Sequence, residues 1–247
     1  MRIKYKEPYW VKFSWDLSNH HDDQYVTKFD KNDNMSFFEF QHEKKFIINC
    51  EFAIPEGAKS DYFSMIYGKP GKNMGLTYCA DKKTMSFEFW TTKKMDNDLF
   101  HYIPIKNIDQ EQLQNGVVIT IIRDENEIKT FINYKENVNE KFDEDLIDDY
   151  RWTGLFMGCS NPGAAVTEHR YYGEVEMKYF TILKDISDIE IAKELHQTES
   201  EKIITKHYYK NILCLYDFKL SNNLGIFYDE SKYNNFLEKV PNKFLLK

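Results

Sequence analysis

The stretch "GVVITIIRDENEIKTFIN", residues 116–133, contains two apolar runs separated by a short polar segment. In the first run, Val117, Ile119 and Ile121 occupy alternate positions, and the other side of the run, with Val118 and Ile122, is largely apolar as well. Period-two alternation indicates a β-strand, and a strand that is apolar on both sides is covered on both faces. The second run follows the polar turn Asp124–Asn126. Two strands joined by so short a turn predict an antiparallel hairpin.

The same alternation recurs on either side of this hairpin. "FIINCEFAI" (46–54) has an apolar residue at every second position, and "TMSFEFW" (84–90) places Ser86, Glu88 and Trp90 opposite an apolar face. Further candidate strands are 9–15, 24–30, 35–40, 60–67, 74–80, 99–105, 152–159, 171–183 and 211–218. About a dozen short strands, with Gly, Pro, Asn or Asp between them, predict two antiparallel sheets packed face to face.

One segment has the periodicity of a helix. "SDIEIAKELHQ" (187–197) begins with Ser187 and has Glu190 three residues later, which is the spacing of a capping box. Apolar residues recur within it at helical spacing, and a weaker helical stretch covers 198–207. The chain is therefore predicted to be all-β with one short helical region in its C-terminal part.

Composition limits the function classes. The 247 residues fit one large or two small domains, and 42% of them are hydrophobic, which is enough for a core. A net charge of −7 argues against nucleic acid as a partner. The N-terminal segment does not have the pattern of a signal peptide, and no run approaches the ~18 apolar residues of a membrane span. Four scattered cysteines without a CxxC pair indicate neither a zinc site nor a disulfide framework.

The order of these pieces from 46 to 197 resembles the concanavalin A-like lectin/glucanase superfamily, in particular its laminin G-like branch. The best match is "YYGEVEMKYFTILKDISDIEIAKEL" (171–195), in which Gly173 precedes an alternating strand and a short helix. "WTGLFMGCSNPG" (152–163) and the turn after 132 are similar to further pieces of that branch. The resemblance implies a jelly-roll sandwich of the concanavalin A-like kind.

The C-terminal segment "CLYDFKLSNNLGIFYDESKYNNFLEKV" (214–240) resembles the strand and turn with which many laminin G-like domains begin, yet it follows the helix here. It either folds back as a permuted strand of the same sandwich or is part of a second module completed by another chain. The first alternative is favoured because the ends of a domain often lie close together. The predicted division is therefore a sandwich over 1–198 and a C-terminal extension over 199–247.

Catalysis has to be considered because the superfamily includes glucanases. A retaining glycosidase needs two carboxylates about 5 Å apart. Glu174 and Glu176 share one side of a predicted strand, but the next position on that side is Lys178 rather than a further acid. We therefore predict no catalytic set. A glycan-active hydrolase with Glu174 and Glu176 as acid and nucleophile is the alternative.

Aromatic residues are the candidate contacts for a ligand, since aromatic rings pack against the apolar faces of sugars. Trp90, Tyr171 and Tyr172 are the candidates, and Trp90 lies opposite the apolar face of its strand. No cofactor is expected, except that the resemblance allows Ca²⁺ at the rim of a sheet, for which Asp81 and Asp229 are the candidate ligands.

These observations favour a non-catalytic recognition or assembly module. Its expected partner is a surface glycan or the protein subunits of a larger assembly. An accessory or decoration component of a virion is one such setting, and no secretory route is expected from the sequence.

Overall fold

The computed structural model describes residues 5–6, 10–13, 25–27, 44–56, 63–67, 75–79, 82–93, 97–142, 145–146, 156–157, 175–198, 200–218 and 237–239. Within them, most of the chain forms β-strands in two antiparallel eight-stranded sheets. The predicted all-β sandwich is confirmed. The predicted strand 35–40 lies outside the described residues.

The first sheet draws strands from the beginning, middle and C-terminal part of the chain. Its strand order is β1 (Tyr5–Lys6), β2 (Trp10–Phe13), β14 (Val175–Lys184), β4 (Lys45–Ala53), β9 (Val117–Asp124), β10 (Glu127–Ile132) and β11 (Lys135–Lys141), with β15 (Ile212–Asp217) beside β14. The predicted hairpin consists of β9 and β10. Asp124 pairs with Glu127 beside the turn, and the pairing continues to Ile119 and Ile132. One edge of β14 pairs with β4, and the opposite edge is shared between β2 and β15.

The second sheet is built from shorter strands. Its order is β12 (Asp145–Leu146), β7 (Thr84–Lys93), β6 (Gly75–Cys79), β5 (Phe63–Tyr67), β13 (Phe156–Met157), β3 (Tyr25–Thr27) and β16 (Leu237–Lys239), with β8 (Asn97–Ile105) on the other edge of β7. In the pairing of β7 with β8, Met85 lies opposite Ile105 at one end and Lys93 lies opposite Asn97 at the other.

A hydrophobic core lies between the two sheets. Alternate residues of β4, and Ile54 just beyond the strand, enter this core from the first sheet. Met85, Phe87 and Phe89 of β7 enter it from the second sheet. The buried residues Cys50 and Cys214 are part of this core. The alternation predicted for 46–54 and 84–90 therefore describes the faces that pack together.

A second core lies on the other face of the first sheet. It is covered by the segment that contains α2 (Ile189–Gln197), α3 (Ser200–Ile203) and a 3₁₀ turn (Tyr209–Asn211). Ile122 of β9 belongs to this second core, whereas Ile119 and Ile121 belong to the first. The prediction that this strand, β9, is covered on both faces is therefore confirmed. None of the helices within the described residues is long and apolar enough to cross a membrane.

Two helix starts differ from the prediction. The N-cap of α2 is Asp188, not Ser187, because the Asp188 carboxylate accepts a hydrogen bond from the Glu190 N–H. A capping box is present elsewhere, between Asp109 and Gln112, at the start of α1 (Gln110–Asn115). This six-residue helix was not predicted, since it is too short to show helical periodicity.

The strand predicted at 211–218 is β15, and it is antiparallel to β14. Its residues Ile212 to Tyr216 are all buried. The simple alternation expected for this strand is wrong at its start, because the register shifts where Leu183 pairs with Ile212 and Ile182 with Cys214. Leu213 is the extra residue of this bulge and joins the core between the sheets beside Cys214. The domain division at 198/199 stays a prediction.

Candidate functional site

The face of the second sheet that points away from the core carries a group of polar residues. Because Met85, Phe87 and Phe89 face the core, Ser86 and Glu88 face outward. In register, Thr77 pairs with Ser86, and Glu88 lies between Gly75 of β6 and Tyr102 of β8. We call Gly75, Thr77, Ser86, Glu88 and Tyr102 the outward patch.

Hydrogen bonds join three members of the outward patch. The Thr77 hydroxyl donates to Glu88 Oε1 over 2.8 Å, and Thr77 Oγ1 lies 2.9 Å from Ser86 Oγ. Ser86 Oγ is also 3.4 Å from Glu88 Oε1. Because Gly75 has no side chain, the Glu88 side chain has room to turn along β6 toward Thr77. Thr77, Ser86 and Glu88 are 1%, 2% and 7% exposed, so water screens this carboxylate only weakly.

Tyr102 is the accessible member of the outward patch. Its side chain is 49% exposed, and it is the direct cross-strand neighbour of Glu88. Directly opposed residues of antiparallel strands place their side chains next to each other on one face. An exposed aromatic ring can pack against the apolar face of a sugar.

A second polar group, the Glu51 cluster, lies beneath the end of α2 on the outer face of the first sheet. It consists of Glu51, Tyr134, Lys178 and His196. Lys178 Nζ lies 2.6 Å from Glu51 Oε1, and His196 Nε2 lies 2.9 Å from Glu51 Oε2. Tyr134 Oη is 2.6 Å from His196 Nδ1. The cluster therefore connects β4, β14, α2 and the turn between β10 and β11.

The surroundings of the Glu51 cluster shift two pKa values. Burial raises the pKa of Glu51, but hydrogen bonds from His196 and Lys178 lower it by more, so the pKa lies below its ordinary value. Burial raises the pKa of Tyr134 to about 12. The carboxylate is held between two nitrogen donors, and the Tyr134 hydroxyl keeps its proton. Both properties suit a contact that attaches the helix to the sheet. We therefore regard this cluster as structural.

The structure places only part of the predicted site. Glu176 lies in β14, paired with Ala53 of β4 and Lys12 of β2, and faces the outer side of the first sheet. Trp90 lies in β7 of the second sheet, paired with Phe100; its side chain is outside the described part of the structure. The remaining predicted site residues, Asp81, Tyr171, Tyr172, Glu174 and Asp229, lie outside the described residues. Glu176 and Trp90 are thus in different sheets.

Sequence reasoning placed Glu88 and Trp90 on one face of their strand but missed Tyr102 and the Glu51 cluster. Alternation within β8 was visible in the sequence, whereas its register against β7 was not. Glu51 and His196 are 145 positions apart and share no local pattern. Among the described residues, no three His, Cys, Asp or Glu side chains are grouped so that they could hold a metal ion.

Comparison with known proteins gives similarity in structure only. No model of a known protein family matches the chain, and no curated protein sequence matches it. A protein from Bacteroides ovatus described as a candidate carbohydrate-binding protein is similar in structure, with a TM-score of 0.55, 10% identity, and coverage of 93% of this chain and 59% of the other.

Structures of botulinum neurotoxins are similar as well. One, a type C toxin whose cell entry depends on interaction with two ganglioside molecules, has a TM-score of 0.53 and 12% identity and covers 79% of this chain. Another, a toxin DC binding domain in complex with rat synaptotagmin II, has a TM-score of 0.52 and 13% identity over the same share. This chain spans 44% of each of these two chains. At such identities the similarity shows a shared β-sandwich fold.

Proposed function

We propose that this protein is a non-catalytic recognition module that binds a glycan through the outward patch of its second sheet. The observation that carries the proposal is the half-exposed Tyr102 directly beside the hydrogen-bonded carboxylate of Glu88. The exposed ring provides one kind of contact that a sugar uses, which is packing against its C–H face. Trp90, which alternation predicts on the same face, would enlarge the aromatic surface.

The outer face of the first sheet is less suited to a ligand. Its apolar residues pack against α2 and the segment that follows, which occupies the place a ligand would take. The Glu51 cluster joins that helix to the sheet. The exposed Tyr102 makes the second sheet the better candidate for recognition.

The similar structures support the fold and the ligand class in general terms. One is described as a candidate carbohydrate-binding protein, and another concerns a toxin that interacts with gangliosides.

We assign the sandwich to the laminin G-like branch as part of the proposal, on the order of its sequence pieces. A protein surface is the second candidate partner, since a toxin domain of this fold is seen in complex with rat synaptotagmin II. A larger assembly such as a virion stays a prediction.

The proposal can be tested by measuring retention of the protein on a panel of immobilised oligosaccharides. We expect Tyr102→Ala to weaken binding about fivefold or more, because an aromatic contact with a ligand is worth ~1 kcal/mol or more. Ile204→Ala is the matched control, since Ile204 is also an exposed large hydrophobic residue but lies in the segment after α2. Retention of no glycan, or equal binding by Tyr102→Ala and wild type, would reject the proposal.

A further inference from the structure

We propose that two copies of this protein pair through the edge strand β8, so that their second sheets join into one continuous antiparallel sheet. This inference goes beyond the proposed function and does not depend on glycan binding. Among the described strands, β8 pairs with β7 alone. Its nine residue pairs with β7 follow one another without a bulge. The edge of β8 that faces away from β7, here called the outer edge, is therefore long and regular.

Two observations indicate which backbone groups of β8 point to the outer edge. Residues of an antiparallel strand direct their N–H and C=O groups alternately to one neighbour and to the other. Pro104 has no N–H, and a proline in a sheet places its nitrogen on the outer side of an edge strand. Two positions later, Asn137 Nδ2 donates to the Lys106 carbonyl and Asn137 Oδ1 accepts from the Lys106 N–H. Every second residue counted back from Lys106 therefore directs its backbone groups outward.

The outer edge thus presents bonding groups at four positions of β8. Asp98, Phe100 and Tyr102 each present an N–H and a C=O, and Pro104 presents a C=O. The side-chain amide of Asn137 fills the position after them, so the row ends at Pro104. A row of backbone donors and acceptors at the edge of a sheet is a template for pairing with another strand.

The residue types of β8 permit self-pairing, whereas those of the other long edge strand oppose it. β11 lies at the edge of the first sheet and has the palindromic sequence "KENVNEK". Two antiparallel copies of β11 in full overlap would place lysine opposite lysine and glutamate opposite glutamate, and like charges directly opposed are destabilising. β8 reads "NDLFHYIPI" and contains one acidic and no basic residue at neutral pH. A second copy of β8 is therefore the partner that we assign to the outer edge.

Full overlap of the four positions fixes the register of this contact. The two strands then pair about His101, and Phe100 of each copy exchanges two backbone hydrogen bonds with Tyr102 of the other. Asp98 lies opposite Pro104 of the second copy and donates to its carbonyl, so no like charge opposes it. A shift of two residues in either direction takes one end of each row past the other. The contact has two-fold symmetry, which is the commonest symmetry of soluble oligomers.

The joined sheet brings two exposed aromatic residues together. A two-fold axis perpendicular to a sheet keeps the same face of both copies on the same side. Tyr102, which is half-exposed, and Tyr102 of the second copy are then diagonal neighbours about 7–8 Å apart. If the proposed function holds, a glycan meets two rings on this face rather than one.

A disulfide cross-link tests the register. At His101 the two strands form a pair without backbone hydrogen bonds, whose Cα atoms lie about 4.5 Å apart, within the span of a disulfide. We expect His101→Cys to give a covalent dimer under mild oxidation, detected on a non-reducing gel. Asn139→Cys is the matched control, because Asn139 is an exposed residue of β11, and it should not cross-link beyond the level of wild type.

Sedimentation of the wild-type protein over a range of concentrations tests association itself. A contact between two strands is small, so we expect a reversible dimer with a dissociation constant of about 1 μM or weaker. Phe100→Pro removes one outward N–H and places a ring at the outer edge, where Pro104 is already tolerated. We expect this variant to keep its fold and to weaken association about tenfold or more.

Each outcome supports or overturns the inference. A wild-type protein that stays monomeric up to millimolar concentration, or His101→Cys that does not cross-link, overturns it, also where a peptide of another protein binds the outer edge. Unchanged association in folded Phe100→Pro would place the contact elsewhere. If Phe100→Pro does not fold, the cross-link decides. Dimerisation without glycan binding rejects the proposed function alone, and glycan binding by a monomer rejects the dimer alone.

Discussion

Asparagine side chains replace missing backbone partners at several points of this sandwich. Asn49 Nδ2 donates to the Ala192 carbonyl of α2, and Asn211 Nδ2 donates to the Lys184 carbonyl at the end of β14. Asn133 Oδ1 accepts from the Val118 N–H at the turn between β10 and β11. A short amide can both donate and accept, which lets it satisfy backbone groups where a strand or helix ends.

Asn137 makes two such bonds at once, and they join the two sheets. Its Nδ2 donates to the Lys106 carbonyl over 2.7 Å, and its Oδ1 accepts from the Lys106 N–H over 2.9 Å. We expect Asn137→Ala to lower the free energy of unfolding by about 1–2 kcal/mol, since each net hydrogen bond is worth ~0.5–1.5 kcal/mol. Urea denaturation measures the change. Asn139→Ala, an exposed position of the same strand, is the control and should change stability by less than ~0.5 kcal/mol.

The Glu51 cluster predicts a dependence of stability on pH. The pKa of Glu51 is lower in the folded protein than its ordinary value of 4.5, so its contribution is complete above that pH and is lost as pH falls through the folded-state pKa. Glu51→Gln should therefore destabilise the protein at pH 7 and make its stability fall less steeply on acidification. Denaturation curves between pH 7 and pH 3 measure this. Identical slopes for Glu51→Gln and wild type, with Glu140→Gln as reference, would contradict the prediction.

At the scale of the elements, β15 has apolar contacts on both sides of the first sheet. Tyr216 and Phe218 lie in the core between the sheets, and Ile212 and Leu215 lie in the core beneath the helices. The ring of Tyr216 is stacked on Phe180 of β14, with centroids 6.2 Å apart. One short strand thus supports both cores.

We expect Tyr216→Ala to destabilise the protein by about 3–5 kcal/mol, because it removes a fully buried aromatic ring and leaves a cavity. Thermal and urea denaturation measure the loss. Lys210→Ala, an exposed residue just before β15, should have little effect.

Removal of residues 208–247 is expected to give aggregating protein, since an edge of β14 is then left without a partner. A soluble truncated protein with the wild-type melting temperature would show that β15 is dispensable.

The sequence was informative wherever a structural property depends on neighbouring residues. Alternation predicted β4, β7 and β9 with the faces they bury, the polar turn after β9 predicted its hairpin with β10, and helical spacing predicted α2. It did not predict the bulge at Leu213, the cap at Asp188 or the register that brings Tyr102 beside Glu88. The bulge and the register depend on pairing between segments far apart in sequence, whereas the cap depends on which of two adjacent residues, Ser187 or Asp188, bonds to the first turn of the helix.

At the scale of the whole molecule, the two carboxyl-bearing regions considered for function belong to different sheets. Glu176 is on the outer face of the first sheet, and the outward patch is on the second. We expect no hydrolysis of a β-glucan panel by the purified protein, because the alternative hydrolase would need its carboxylates beside the bound sugar. Reducing-sugar release measures turnover. Activity that is abolished by Glu176→Gln would establish the alternative instead.

The shared edge of β14 has a consequence for synthesis of the chain on the ribosome. Residues Tyr179–Leu183 pair with β15, which ends 33 positions after the last residue of β14. At translation rates of about 5–20 residues per second, that delay is roughly 2–7 s. Throughout this interval the growing polypeptide has an incomplete sheet with an exposed edge, a state that chaperones recognise and in which nascent chains can associate with each other.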